Sequence, residues 1–465
     1  MTPRSEARQR IKMALARKKF FWFCNVLAPD FYKEDRQYLV DMCNEMQNFY
    51  ESDDEVLVIN VPPRHGKSRT ASMFSQWVFG KEPSEKIMTG SYNETLSRTF
   101  SKSVRNGISE VKADEDLIVY SDLFPNTRIK RGEAAMNLWA LDGGYNNYLA
   151  TSPGGTATGF GASILLIDDL IKNSLEAYNE MVLEKHWDWF TNTMLSRLEE
   201  GGKIIIIMTR WATGDLAGRA LAHFKSEGKR MRHINLKAMQ DDGTMLCDEV
   251  LSRRSFDSKC LAMGDDIARA NYQQEPLDAK GSLYKTFRTY TELPRVFEQI
   301  INYTDTADEG EDYLSSICGG VLNGEIYVLD MEYTQEPMEV TELLVAKMVA
   351  RNKVERIKVE SNNGGRGFAR NIQKKLEEME YYNGVVEWFH QSENKKARIL
   401  TAAPFVQQHL IYPHDWETRF ADYAKDMKKF QKAGKNLHDD APDATSGLVE
   451  MIEEAQPGIR SFWDD

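Results

Sequence analysis

Two sets of residues in this chain are of types and spacings that could do chemistry. The first is Pro62-Pro63-Arg64-His65-Gly66-Lys67-Ser68, directly after the apolar run Val56-Leu57-Val58-Ile59-Asn60-Val61. A glycine–lysine–serine turn between a strand and a helix offers backbone N–H groups to phosphate. The lysine reaches the terminal phosphates and the serine hydroxyl holds Mg2+. Val61 stands where the usual pattern has its first glycine, and in isolation Gly66-Lys67-Ser68 reads equally as a surface turn with a helix cap. Its partner decides the matter. Ile164-Leu165-Leu166-Ile167-Asp168-Asp169 sets Asp168 at the end of another apolar strand, where a carboxylate beside the loop can hold Mg2+, although two acids also commonly cap a following helix. Asp169 stands where such ATPases often carry a glutamate as base for the attacking water, and Glu176 is the alternative. After a third strand come Thr209, placed to sense the γ-phosphate, and Arg210, which with Arg64 is a candidate to stabilise charge on the transferring phosphoryl group. Pairing of Arg210 with Asp215 is an equally good reading of that arginine. Arg64, His65, Gly66, Lys67, Ser68 and Thr209 are thus the expected contacts of ATP.

The second set is acidic. Asp305 closes the strand Asn302-Tyr303-Thr304, with Asp308 just beyond; Glu360 closes Ile357-Lys358-Val359; Asp440 and Asp443 open the last helix, three residues apart and on one face. Phosphodiester hydrolysis with two metal ions needs carboxylates converging on cations about 4 Å apart. Mg2+ or Mn2+ suits such oxygen donors. Each acid alone is better explained as a cap or a solvated loop residue. Carboxylates at two strand ends plus a helix's first turn, in order within one domain, form the RNase H-like arrangement.

These groups need elements to hold them. Continuously apolar strands at Val56–Val61, Lys86–Thr89, Ile164–Ile167 and Lys203–Met208 alternate with helices expected at about Ser68–Phe79, Glu94–Val104 and Ser174–Leu198. That alternation predicts an α/β domain with a doubly wound parallel sheet. After a turn-rich connector at Asn271–Ser282, a strand-rich unit follows, with a hairpin turn at Asn323-Gly324. The expected division is a helical segment 1–50 packed on an ATPase domain 51–285, a linker 286–295 and a second domain 296–465.

Composition bounds the rest. With 465 residues, 42% of them apolar, the chain suits two or three packed domains rather than disorder. Cys24, Cys43, Cys247, Cys260 and Cys318 show no zinc or disulfide spacing, and a reducing cytosol is expected. No apolar run approaches the ~20 residues of a membrane span. Arg4 to Lys19 followed by Phe20-Phe21-Trp22-Phe23 reads as a basic amphipathic helix on the domain's outside rather than a targeting segment. A net charge of −12 argues against a constitutive nucleic-acid binder, so that DNA contacts are either confined to local basic patches or depend on assembly and nucleotide. Such patches occur at Arg351–Lys358, at Arg366 and Arg370, at Lys395, Lys396 and Arg398, and at Lys425–Lys435, most of them, the last above all, better read as a solvated helix face.

Taken in order, Pro62–Ser68, Gly154–Gly159, Leu166–Asp169, Thr209–Trp211, Asp215–Arg219, Tyr272–Pro276, Asp305, Glu360–Asn362 and His438–Ala444 resemble the large terminase subunits of tailed bacteriophages and prophages. The resemblance implies an N-terminal P-loop ATPase of the ASCE type and a C-terminal RNase H-like nuclease. By it, Lys67 and Ser68 bind phosphate and Mg2+, Asp168 is the acidic ATPase residue, and Asp305, Glu360 and Asp443 are metal ligands with Asp440 as a fourth. It further implies a packaging motor that pumps and cuts double-stranded DNA in the host cytoplasm, away from membranes. Its partners would be a small terminase subunit and a portal protein, in a homo-oligomeric ring on the procapsid that can be monomeric when isolated. Two other readings are a helicase or repair ATPase whose second domain binds DNA without cutting it, and a non-catalytic scaffold.

Overall fold

A computed structural model describes residues 3–114, 117–155, 157, 159–276, 281–306, 312–362, 365–432 and 436–455. Thr156, Thr158, Ala279, Lys280, Asp308, Asn363, Gly364 and Lys435, all cited above, lie outside the described residues. The chain divides into two units, Met1–Leu277 and Asp278–Asp465.

The first unit is built on eight strands: β1 (Val56–Asn60), β2 (Ile87–Gly90), β3 (Ile129–Ala134), β4 (Leu138–Leu141), β5 (Tyr148–Thr151), β6 (Ala162–Asp168), β7 (Leu198–Met208) and β8 (Met231–Asn235). Their order is β3-β4-β5-β2-β6-β7-β1-β8. All neighbours from β5 to β8 run parallel, and β4 is antiparallel to both of its neighbours. β1 is buried at every position because both faces of the sheet are covered. Leu57, Ile59, Ile205 and Ile207 face one apolar core, while Val56, Val58, Ile204 and Ile206 face the other.

Two local expectations change. The aromatic block lies inside: Phe20, Phe21 and Phe23 are buried in the helix Phe20–Leu27, and Phe20 meets Phe74 edge-on at 5.4 Å. Bulky aromatic area outweighs the flanking lysines. The expected long helix Ser174–Leu198 is broken into Ser174–Tyr178 and Glu180–Trp189, then a π turn, Phe190–Met194, and a 3-10 turn, with Leu198 already in β7. Asn173 and Asn179 each cap a new helix start with their side chains, which interrupts the apolar periodicity.

The second unit holds β9 (Arg288–Tyr290), β10 (Gln299–Asp305), β11 (Leu314–Leu322), β12 (Glu325–Thr334), β13 (Arg356–Glu360), β14 (Val385–Phe389) and β15 (Leu410–Pro413) in the order β14-β13-β10-β11-β12-β15-β9. β10, β11 and β12 form an antiparallel meander and the other pairings are parallel. Asn323 and Gly324 both have positive φ, 52° and 74°, as a two-residue hairpin turn requires. The stretch 286–295, read as linker, carries β9, an edge strand paired with β15. Three residues between turns give too short a pattern to register as a strand. Among the described residues no helix is long and apolar enough to cross a membrane.

Candidate nucleotide and metal sites

In the first unit β1 feeds the loop and the helix Lys67–Lys81 leaves it. Gly66 sits at φ +87°, and a Cβ there would meet the Phe31 ring at 2.6 Å, so backbone and packing both demand glycine. His65 turns inward: its Nδ1 is 2.8 Å from the Pro63 carbonyl and its ring meets Tyr38 at 5.7 Å. Burial lowers its pKa and so favours the neutral imidazole. Arg64 is exposed at the loop's tip with φ +64°.

At the carboxyl ends of β6 and β7, Lys67 Nζ donates to Thr209 Oγ1 at 2.6 Å and pairs with Asp169 Oδ2 at 2.6 Å. The other Asp169 oxygen accepts the Thr209 N–H at 2.9 Å, and the Thr209 hydroxyl donates to the Val61 carbonyl at 3.1 Å. Loop, acidic strand and third strand are thereby tied into one unit. Asp168 is buried, and burial, then the charge of Asp169, push its pKa up to about 7 against the Ser68 hydroxyl bond and Lys67. Its Oδ1 is buried without a hydrogen-bond partner. An orphaned carboxylate oxygen beside a serine hydroxyl is a donor set that fits Mg2+.

Two further candidates are engaged elsewhere. Arg210 Nε lies 3.0 Å from each oxygen of the fully buried Asp215, which also accepts N–H bonds from Trp211, Ala212 and Gly218. The ion-pair reading of this arginine is the one the structure displays. Glu176 Oε2 accepts the Lys172 N–H at 2.8 Å and closes a turn.

In the second unit β10 and β13 run parallel with Thr304 opposite Val359, so Asp305 and Glu360 leave the sheet side by side. The helix Asp440–Ala455 lies against this sheet, and Gly447 rests on the Tyr303 ring so closely that a Cβ would come within 2.0 Å of it. That contact lowers the helix's first turn onto the strand ends. One oxygen each from Asp305, Glu360 and Asp443 lies within 4.8 Å of the others. Asp443 Oδ1 has no hydrogen bond, although Arg398 approaches it at 3.2 Å. Burial pushes Asp305 well above the usual carboxylate range, helped by Glu360, and lifts Asp443 to about 6 despite Arg398 and Lys395. Three converging carboxylates, two of them with ionisation opposed by burial, are a donor set suited to divalent cations. Asp440 stands beside the trio rather than in it: its oxygens take the Tyr313 N–H and Lys395, each at 3.0 Å.

The sequence offered Lys395 and Arg398 as part of a DNA path or of a solvated helix face, yet both face the acids. Lys395 Nζ lies 2.7 Å from Asp439, 3.0 Å from Asp440, 3.5 Å from Asp443 and 3.7 Å from Asp305. Burial favours its neutral form, but those carboxylates outweigh burial and raise its pKa. Arg398, 2% exposed, reaches Glu360 at 3.2 Å, Asp443 at 3.2 Å, Glu450 at 3.0 Å and the Tyr303 hydroxyl at 3.3 Å. Tyr303 in turn donates to Glu360. The available signal was their spacing, three apart in the first turn of a helix capped by Asn394, hence on one face.

Comparison with known proteins agrees with this architecture. Residues 304–411 match the family described as Terminase Bacteriophage T7, Ribonuclease H-like domain, a span that includes Asp305 and Glu360. No curated protein matches the chain in sequence. Among solved structures, the large terminase of the thermophilic bacteriophage D6E in its crystal form 3 superposes with TM-score 0.52 at 14% identity, covering 86% of this chain and 94% of that one. Its crystal form 2 gives TM-score 0.53 at 12% identity, over 92% and 97%. The D6E terminase has also been solved in complex with ATP-γ-S, and that structure superposes with TM-score 0.52 at 13% identity, over 87% and 97%.

Proposed function

We propose, for a chain that has the fold of a large terminase subunit and an RNase H-like domain matching the terminase family, that it is the ATP-driven motor and nuclease of viral DNA packaging. The observation that carries this reading is the gathering of Asp305, Glu360 and Asp443, distant in sequence, at one sheet edge. In the proposal these three hold Mg2+ or Mn2+, which supply an activated water and charge stabilisation for the leaving oxygen. Arg398 and Tyr303 fix Glu360 in place.

In the first unit Lys67 binds the terminal phosphates of ATP, Ser68 and Asp168 hold Mg2+, and Thr209 couples the phosphate end to the third strand. Lys67 leaving for phosphate frees Asp169 Oδ2 to orient the attacking water and accept its proton. Arg64, exposed at the loop tip, is the arginine placed to meet phosphoryl charge. Double-stranded DNA, a small terminase subunit, a portal protein and a ring of copies on the procapsid complete the proposal, with action in the host cytoplasm.

The test is plasmid cleavage with Mn2+ or Mg2+ together with DNA-stimulated ATP hydrolysis. Asp305→Ala is expected to abolish cleavage and leave ATPase activity intact; Lys67→Ala does the reverse for ATPase. Cleavage that survives in Asp305→Ala overturns the nuclease assignment. Unwinding of forked duplex with no cleavage by the wild type would point to a helicase instead.

A further inference from the structure

The helix Gly365–Glu378 starts just beyond Glu360, and Gly365 packs so tightly there that a Cβ would lie 1.8 Å from the Glu360 carbonyl oxygen. Phe368, Ala369, Ile372 and Leu376 bury one face against Ile357 and Val359. On the opposite face Arg366, Arg370 and Lys374 recur at every fourth position, all exposed. At 1.5 Å of rise per residue they form a stripe about 12 Å long that begins one residue after Gly365, which packs on the Glu360 backbone. Beside it, on the edge strand β14, Trp388 is 44% exposed and the Arg370 guanidinium lies 6.0 Å from its ring.

Elsewhere in this unit several of the cations singled out from sequence are engaged by acids. Arg351 binds Asp330, Arg356 meets Glu387 at 3.1 Å, Lys428 meets Glu417 at 2.8 Å, and Lys395 and Arg398 face the acidic pocket. Among the described residues neither Arg366 nor Arg370 is in an ion pair, and the Lys374 contact with Glu378 is a loose 3.9 Å. In a chain of net charge −12, a row of exposed cations, two of them without an ion pair and one against an aromatic ring, is matched by a polyanion. A planar guanidinium suits phosphate oxygens in particular.

We infer that this stripe, Arg366, Arg370 and Lys374 with Trp388 supporting Arg370, is a docking track for the backbone of duplex DNA entering the cleavage site. The inference rests on the reading that the chain cuts DNA and adds where the duplex lies. Contacts of this kind orient a duplex without reading its sequence.

The experiment measures binding of a labelled duplex to the full chain, with Ca2+ in place of Mg2+, across a salt series. The triple variant Arg366→Gln, Arg370→Gln, Lys374→Gln is expected to weaken binding at least tenfold. It should also flatten the dependence of log K on log salt by between about 2 and 3, each lost phosphate contact contributing about 0.9. Trp388→Ala gives a smaller loss of the same kind, and the Mn2+-induced rise in melting temperature stays as in the wild type. Unchanged affinity and slope in the triple variant would overturn the inference while leaving the nuclease assignment standing. So would an equal loss in the pair Lys425→Gln, Lys429→Gln, which removes charge elsewhere on the same unit. A wild-type chain that binds no duplex overturns the DNA reading itself, and the track with it.

Discussion

Asp169 holds the Lys67 ammonium with one carboxylate oxygen and the Thr209 backbone N–H with the other. The proposed base is thus neutralised by the lysine proposed to bind phosphate. Its backbone φ of +36°, uncommon for a residue with a side chain, turns the carboxylate toward the loop. Asp169→Asn keeps that geometry and the Thr209 bond but cannot accept a proton. ATP hydrolysis is expected to fall by two orders of magnitude or more, within the range of general-base losses of about 10²–10⁴. Affinity for a fluorescent ATP analogue should change only a few-fold. Glu176→Gln, which keeps an acceptor for the Lys172 N–H, is expected to hydrolyse ATP near the wild-type rate; a collapse there would move the base to Glu176.

The two candidate arginines should separate by stability. Arg210→Ala leaves Asp215 buried without its cation, and breaking a buried pair costs about 3–5 kcal/mol. Thermal melting should therefore drop by many degrees, with ATPase loss following the fold. Arg64→Ala removes an exposed side chain and should leave the melting temperature within a degree or two while hydrolysis falls. If Arg210→Ala melts like the wild type yet fails to turn over, Arg210 acts on phosphate after all.

The first unit's sheet was legible because fully buried parallel strands announce themselves as unbroken apolar runs, as at Val56–Asn60 and Ile204–Met208. The acids were legible only as an ordered set, at two strand ends and in the first turn of the last helix, since each alone reads as a cap or a solvated loop residue. Partners reached through tertiary folding were not. Lys395 and Arg398 look in sequence like any basic helix start, and only the approach of the helix Asp440–Ala455, fixed by Gly447 on Tyr303, turns them toward Asp443. Arg210 and Asp215 lie five residues apart, yet whether they pair or reach phosphate depends on burial that a sequence does not display.

Arg398 is the cation around which the acidic pocket is built. Arg398→Met fills similar volume but leaves Glu360, Asp443 and Glu450 facing one another without it. Uncompensated buried charge predicts a loss of about 3–5 kcal/mol in the metal-free protein. Added Mn2+ should recover part of that loss, because the cations replace missing positive charge. Equal destabilisation with and without Mn2+ would mean that Arg398 supports packing alone. Arg398→Lys should fall between the two, keeping charge but losing the fork that reaches several acceptors at once.

Asp443 contributes a pH dependence of its own. Its folded pKa of about 6 stands above the ordinary aspartate value of about 3.9, so between those limits the folded state keeps a proton that the unfolded state releases. Stability from this group is therefore complete below about pH 4 and is lost as pH rises through about 6, by on the order of 3 kcal/mol at most. Asp443→Asn has no such slope. In EDTA, denaturant unfolding of the second unit should show the variant gaining on the wild type as pH rises from about 4 to about 7. Mn2+ reverses the balance at the upper end, since it binds the ionised carboxylate of the wild type and finds a poorer donor in the amide. A wild type whose stability relative to Asp443→Asn stays flat across that window would show that Asp443 is ionised throughout, and that burial at the strand ends does not hold its proton.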